Sequence, residues 1–259
     1  GGLTIVREAV QRLPRYSTVY LGDNARAPYG SRTQAEIFQF TLEGVEFLFA
    51  QGSELVIVAC NTSSSSALRR IQQEILPKKY PTKRVLGVIT PTIENLKSFT
   101  ETESVGILAT AATVDSGAYI REAQKYWPNI TIAQQACPLL VPLIEQGAAS
   151  EKIEQAAKEY LDELLRNSPK VDAILLGCTH YALIEESIRK LVPVGIRVIS
   201  QGTIVAEQLA DYLRRHPEMV RRLDQRGEHK FYTTGDQHEV ERLARIFYGK
   251  DIFVQHVAL

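Results

Sequence analysis

Ala173-Ile174-Leu175-Leu176-Gly177-Cys178-Thr179-His180 is the stretch that decides the fold. Four apolar residues run without a polar break, followed by a small residue, a cysteine and two short polar residues. A strand that is apolar on both sides needs cover on both faces, which a parallel sheet flanked by helices provides. The same order occurs earlier, in Leu55-Val56-Ile57-Val58-Ala59-Cys60-Asn61-Thr62. A helical pattern follows each stretch, over 67–75 and 184–191. The echo predicts two similar α/β units, each carrying a cysteine at the carboxyl end of a parallel strand, the edge at which open α/β sheets bind ligands. Two such units facing each other would set Cys60 and Cys178 on opposite walls of one cleft.

Working outward, short apolar runs predict further strands at 18–21, 85–89, 105–109, 130–134, 197–199 and 230–233, besides 55–59 and 173–176. Helical periodicity fills the gaps. Ala35, Phe38, Leu42, Val45 and Leu48 recur at spacings of three and four, as do Ile153, Ala156, Ala157, Tyr160, Leu161 and Leu164. The serine run Ser63–Ser66 reads as a strand-to-helix turn and first helical turn. This rhythm gives an α/β fold: two similar α/β domains, mostly parallel sheets flanked by helices, with the active site at the domain interface.

Composition excludes other classes. Lys+Arg and Asp+Glu both number 30 in 259 residues, so no basic footprint for nucleic acid exists. No apolar run approaches the roughly 18 residues of a membrane span. Three cysteines cannot build a disulfide framework, which favours a reducing, cytoplasmic setting. They are also spaced too widely for a zinc site, so no metal is expected.

The two strand-end cysteines carry the chemistry. A cysteine just before a helix sits near backbone N–H groups, which favours the thiolate. One thiolate can take a proton from carbon while a thiol across the cleft delivers one to the opposite face, inverting a stereocentre. Free cysteine also packs as a small hydrophobe, and the shared context argues against that reading here. Cys137, before Pro138 and apolar residues, lacks polar neighbours and reads as structural. Asn61, Thr62 and Thr179 offer side-chain donors and helix-opening N–H groups that suit a carboxylate, though ordinary capping uses the same residues. His180 can hydrogen-bond the neighbouring thiol. Thr110 and Thr113 follow the 105–109 strand, and Glu145 is a lone acid in an apolar stretch. Gly22-Asp23-Asn24-Ala25-Arg26-Ala27-Pro28-Tyr29-Gly30 is a loop able to offer N–H groups and a phenol. Histidines 216, 229, 238 and 256 read as surface residues.

These motifs, with Gly1-Gly2-Leu3-Thr4 and Cys137-Pro138-Leu139-Leu140-Val141-Pro142-Leu143-Ile144-Glu145, resemble the cofactor-independent aspartate/glutamate racemase family over essentially the whole chain. The resemblance implies that Cys60 and Cys178 are the acid/base pair interconverting L- and D-glutamate, with Cys60 acting on the D-enantiomer. It places substrate contacts at Tyr29, Gly30, Asn61, Thr62, Thr110, Thr113, Thr179 and His180, with Glu145 and His180 assisting Cys178. It further implies no cofactor, a homodimer, a cytoplasmic location, and D-glutamate supply for peptidoglycan. Its domain pattern is 1–94 plus 206–259 for the first domain and 95–205 for the second, the helix 204–213 making the return.

The departures are informative. The family's first strand ends in an Asp-Ser-Gly turn just before the position of Gly1-Gly2, its Asp serving the first cysteine and its Ser touching substrate. If the protein starts at Gly1, that strand of roughly five to six residues and its turn are absent and greatly reduced activity is expected; if the segment lies upstream of Gly1, an intact enzyme is expected. Ala182 replaces a usual proline, and Gln201-Gly202 stands where the family often has an acidic and a small residue. Two alternatives remain: a racemase of aspartate or a related amino acid, and a catalytically impaired racemase-like binding protein.

Overall fold

The computed structural model describes residues 1–259. Its strands are β1 (Thr18–Gly22), β2 (Leu55–Val58), β3 (Arg84–Gly87), β4 (Ser104–Ala109), β5 (Thr131–Ala136), β6 (Ala173–Leu176), β7 (Arg197–Ile199), β8 (His229–Thr233) and β9 (Val254–His256). Every ladder between them is parallel. The helices therefore serve as crossovers, and the architecture is the two-domain α/β fold expected from the sequence.

One sheet has the order β5-β4-β6-β7. Its central strands β4 and β6 are buried at every position. Alternation divides their side chains between two cores. Leu108, Ile174 and Leu176 face the helix Ser150–Asn167, through Ala157, Leu161 and Leu164. Val105, Ile107, Ala173 and Leu175 face Ile93, Tyr119 and Ala123 of the opposite layer. Register pairs Ile107 with Leu175 and Leu108 with Leu176, so each face is apolar across the ladder. Full burial of each such side chain contributes about 1.5–3 kcal/mol.

The remaining strands form β1-β8-β9 and β2-β3. β1 and β2 are not hydrogen-bonded to each other, and both line a cavity of about 750 Å³. The helix Gln201–Arg215 leaves β7 and packs along Leu3–Arg12. No helix is long and apolar enough to cross a membrane.

Several expectations shift in detail. β9 went unread, because three residues with two exposed positions carry no periodic signal. β3 ends at Gly87 rather than 89, because a helix starts at Ile89. The helix Gln34–Ala50, closed by a Thr33–Glu36 capping box, buries Ile37, Thr41, Val45 and Phe49. Of the predicted stripe only Val45 is buried, Phe38, Leu42 and Leu48 flank it, and Ala35 is exposed. Apolar residues cover several sides of this helix, so the spacing had two solutions. His216 and His229 are half-buried rather than on the surface, and Thr18 Oγ1 is 2.9 Å from the His229 ring.

Candidate active site

The two echoed stretches fold alike. β2 and β6 each end two residues before a cysteine, and each cysteine is the N-cap of the next helical turn, Asn61–Ser66 or Thr179–Ile184. Cys60 and Cys178 line the same cavity. Gly177 explains the small residue before the second cysteine: a Cβ there would lie 2.8 Å from Ile107 Cγ2 and 3.0 Å from the Leu108 carbonyl oxygen.

Burial governs Cys178. Loss of solvent pushes its thiol up to about 12, outweighing the N–H groups of His180 and Tyr181 that favour the thiolate. The expectation that its turn lowers the thiol pKa is therefore corrected. The following turn is 3-10 rather than α, and 8% exposure leaves the sulfur almost dry. Burial also raises the Cys137 thiol, and Cys137 Sγ lies 3.5 Å from the Gln135 carbonyl oxygen.

His180 stands between two partners. Its Nδ1 lies 3.7 Å from Cys178 Sγ and its Nε2 lies 3.0 Å from Glu145 Oε1. Burial lowers its pKa to about 4 although Glu145 pulls the other way, so the ring is neutral near pH 7. The His180 contact holds the Glu145 carboxyl below its usual range. An ionised carboxylate only accepts, so Nε2 carries the proton and Nδ1 turns a lone pair toward the Cys178 thiol.

A cluster of buried threonines stands beside the cavity. Thr62 Oγ1 lies 2.9 Å from Thr110 Oγ1 and 3.4 Å from Thr113 Oγ1, and the latter two are 3.0 Å apart. Thr62 and Thr110 line the cavity, whereas Thr113, fully buried, stands behind them. Gly30 lets its loop close on Thr110, because a Cβ there would meet Thr110 Cβ at 3.0 Å. Tyr29 lines the cavity but donates its hydroxyl to Asp23. Thr179 is buried, and its carbonyl accepts from Thr4 Oγ1 at 3.3 Å. The structure thus brings ten of the eleven predicted residues to the lining of one cavity, with Thr113 one layer back.

Sequence reasoning missed the groups behind Asn61. Its amide donates to Gln201 Oε1 at 2.6 Å and accepts from Tyr119 Oη at 2.7 Å. Gln201 opens a helix directly after β7, the strand-end position that singled out the cysteines, and that signal could have found it. Gly1 was also unread as a site residue. A Cβ there would stand 2.6 Å from both Thr179 Oγ1 and His180 Nδ1. No three His, Cys, Asp or Glu side chains converge on a metal-sized site.

The fold and site together define a two-domain, parallel α/β protein with paired strand-end cysteines on one cavity. The Asp/Glu/Hydantoin racemase family model matches residues 3–209. A glutamate racemase of Jannaschia sp. is 39% identical, over 99% of this chain and 96% of its own length. One from Paracoccus denitrificans is 41% identical over 95% and 93%. A glutamate racemase structure from Bacillus anthracis superposes with TM-score 0.89 at 30% identity, covering 100% of this chain and 94% of that one. A Francisella tularensis glutamate racemase solved with D-glutamate gives 0.86 at 31%, covering 99% and 93%. The chain belongs to the Asp/Glu racemase family and is an amino-acid racemase.

Proposed function

We propose that the chain interconverts L- and D-glutamate by a two-base mechanism on Cys60 and Cys178. One sulfur, as thiolate, takes the α-proton and becomes a thiol. The opposite thiol gives its proton to the other face of the carbanion and becomes a thiolate. The enzyme is left with its two protonation states exchanged, and the next turnover can start from the other enantiomer. The observation that carries this reading is the placement of both cysteines at matching strand ends on one cavity. The high pKa of Cys178 suits a resting proton donor, and the His180 lone pair orients its S–H. Asn61, Thr62, Thr110 and Thr179 supply donors for the substrate carboxylates, and Tyr29 and Gly30 bound the same space.

Cys60 is assigned to deprotonate D-glutamate and Cys178 L-glutamate. We further infer from the family resemblance that the enzyme is cytoplasmic, homodimeric and a source of D-glutamate for peptidoglycan. The domains divide as 1–94 plus 206–259 and 95–205, with the helix Gln201–Arg215 bridging them. The test is solvent-deuterium incorporation from each enantiomer, with Cys60→Ser and Cys178→Ser. Both variants should lose racemisation. Racemisation at the parental rate by either one would sink the two-base mechanism.

A further inference from the structure

Asn61 belongs to a closed ring of hydrogen bonds. Its Nδ2 donates to Gln201 Oε1 at 2.6 Å, Gln201 Nε2 donates to Tyr119 Oη at 2.9 Å, and Tyr119 donates to Asn61 Oδ1 at 2.7 Å. Gln201 Nε2 also donates to Thr92 Oγ1 at 3.1 Å. The four residues are 0–3% exposed, so water does not compete. A carboxamide has two orientations that look alike in shape, and its partners decide between them. Here the decision starts at a backbone carbonyl. Thr92 spends its one proton on the Val88 carbonyl at 2.7 Å, so toward Gln201 it can only accept. Gln201 must then present nitrogen to Thr92 and oxygen to Asn61. Asn61 in turn presents nitrogen to Gln201 and oxygen to Tyr119.

The ring also ties the β2-β3 sheet to the four-stranded sheet. Asn61 and Thr92 lie on helices that follow β2 and β3, whereas Tyr119 and Gln201 lie on helices that follow β4 and β7. It closes behind the residue next to Cys60, on the side of Asn61 away from solvent.

We propose that Gln201 and Tyr119 are positioning residues for the racemase reaction: they hold the Asn61 amide in a single orientation and set its distance from the second domain. This rests on the proposed function for the identity of the substrate. The ring needs a neutral amide at 201, because one group must accept from Asn61 and donate twice. An ionised carboxylate at 201 could donate to neither Tyr119 nor Thr92. Tyr119 would turn its proton toward that carboxylate and leave Asn61 Oδ1 without a donor.

The experiment is a double-mutant cycle in the full chain, with Tyr119→Phe and Gln201→Glu made in both the parental and the Asn61→Ala backgrounds. Each ring variant should lower kcat/KM for glutamate about tenfold in the parental background, the size expected for one buried hydrogen bond. Neither should cost more than about twofold once Asn61 is gone. Equal losses in both backgrounds, or a lowered melting temperature with unchanged kcat/KM, would overturn the proposal. The two readings fail separately. A parental protein that exchanges no α-proton of glutamate sinks the proposed function alone. The ring is then read by NMR from the Asn61 side-chain amide protons, which should resist solvent exchange in the parental protein and lose that protection in Tyr119→Phe. An unprotected amide in the parental protein would also overturn it.

Discussion

The Nδ1 atom of His180 faces the Sγ atom of Cys178 at 3.7 Å, and the Glu145 contact at Nε2 leaves Nδ1 as the basic nitrogen. The arrangement gives the Cys178 S–H a hydrogen-bond acceptor and fixes its direction. His180→Gln keeps a polar side chain but loses the Nδ1 contact that positions the thiol, and kcat/KM should fall about tenfold or more, the weight of a buried hydrogen bond. The racemisation equilibrium constant is one by symmetry, so the fall must be equal from both enantiomers. Asymmetry should appear instead in the primary isotope effect, which should grow most with α-deuterated L-glutamate. A larger rise with the D-enantiomer would reverse the assignment of the two cysteines.

The same pair predicts how stability depends on pH. Folding lowers the His180 pKa from 6.5 to about 4, so between those values the unfolded chain binds the extra proton. Stability from this group is complete above pH 6.5 and is lost as pH falls toward 4. Glu145, held below its usual range, adds a loss in acid as it protonates. Folding raises the Cys178 pKa from 9.0 to about 12, so stability falls as pH rises across that window. Urea midpoints measured at about pH 5, 7.5 and 10 should show both losses. His180→Gln should flatten the acid limb and Cys178→Ser the alkaline limb. Profiles parallel to the parental one would show that other groups govern both.

The strands and paired cysteines were legible because their signals are local. A continuous apolar run marks a doubly covered strand, and β4 and β6 are buried at every position. The turn after each strand also lies within a few residues. What was not legible depends on distance in sequence. Gln201 meets Asn61 from 140 residues away and Tyr119 meets it from 58, and no spacing rule links them. The thiol pKa of Cys178 was misjudged for a related reason: the N–H groups that lower it are local, but the burial that raises it comes from the whole fold. The sequence shows Tyr29 as a phenol that its loop can offer, and only the folded loop shows its proton given to Asp23.

Gly177 offers a direct test of packing beside the site. Its Cβ position is occupied by Ile107 Cγ2 at 2.8 Å and the Leu108 carbonyl oxygen at 3.0 Å, and a backbone oxygen in a central ladder cannot step aside cheaply. Gly177→Ala should cost about 1–3 kcal/mol in urea denaturation, the range for overpacking a filled core. Because Cys178 is the next residue, kcat should also drop by more than the folded fraction accounts for. Full activity with a lowered urea midpoint would mean that the strain is relieved away from the cysteine.

Asp23 anchors the loop that carries Tyr29 and Gly30. Its carboxylate accepts from the Tyr29 hydroxyl, from Arg26 Nε at 2.7 Å and from Thr234 Oγ1 at 2.7 Å, while Arg26 is held on its other side by Glu43. Burial first, and then this carboxylate, raises the Tyr29 phenol pKa, which keeps its proton in place as the donor. Asp23→Asn retains the shape but turns an N–H₂ toward groups that all donate, and at least one must lose its acceptor. The expected cost is about 1–3 kcal/mol of stability, the penalty for leaving a partly buried polar group unpaired. On activity, a loosened Tyr29-Gly30 wall should raise KM for glutamate several-fold and leave kcat within about twofold, since binding is lost but not the proton-transfer groups. Tyr29→Phe, which keeps the ring against Phe40 at 5.9 Å and leaves Asp23 two donors, should change both quantities less. Steady-state kinetics on the two variants separates these outcomes, and a fall in kcat at unchanged KM would place Asp23 in the chemistry of the reaction rather than in the support of its wall.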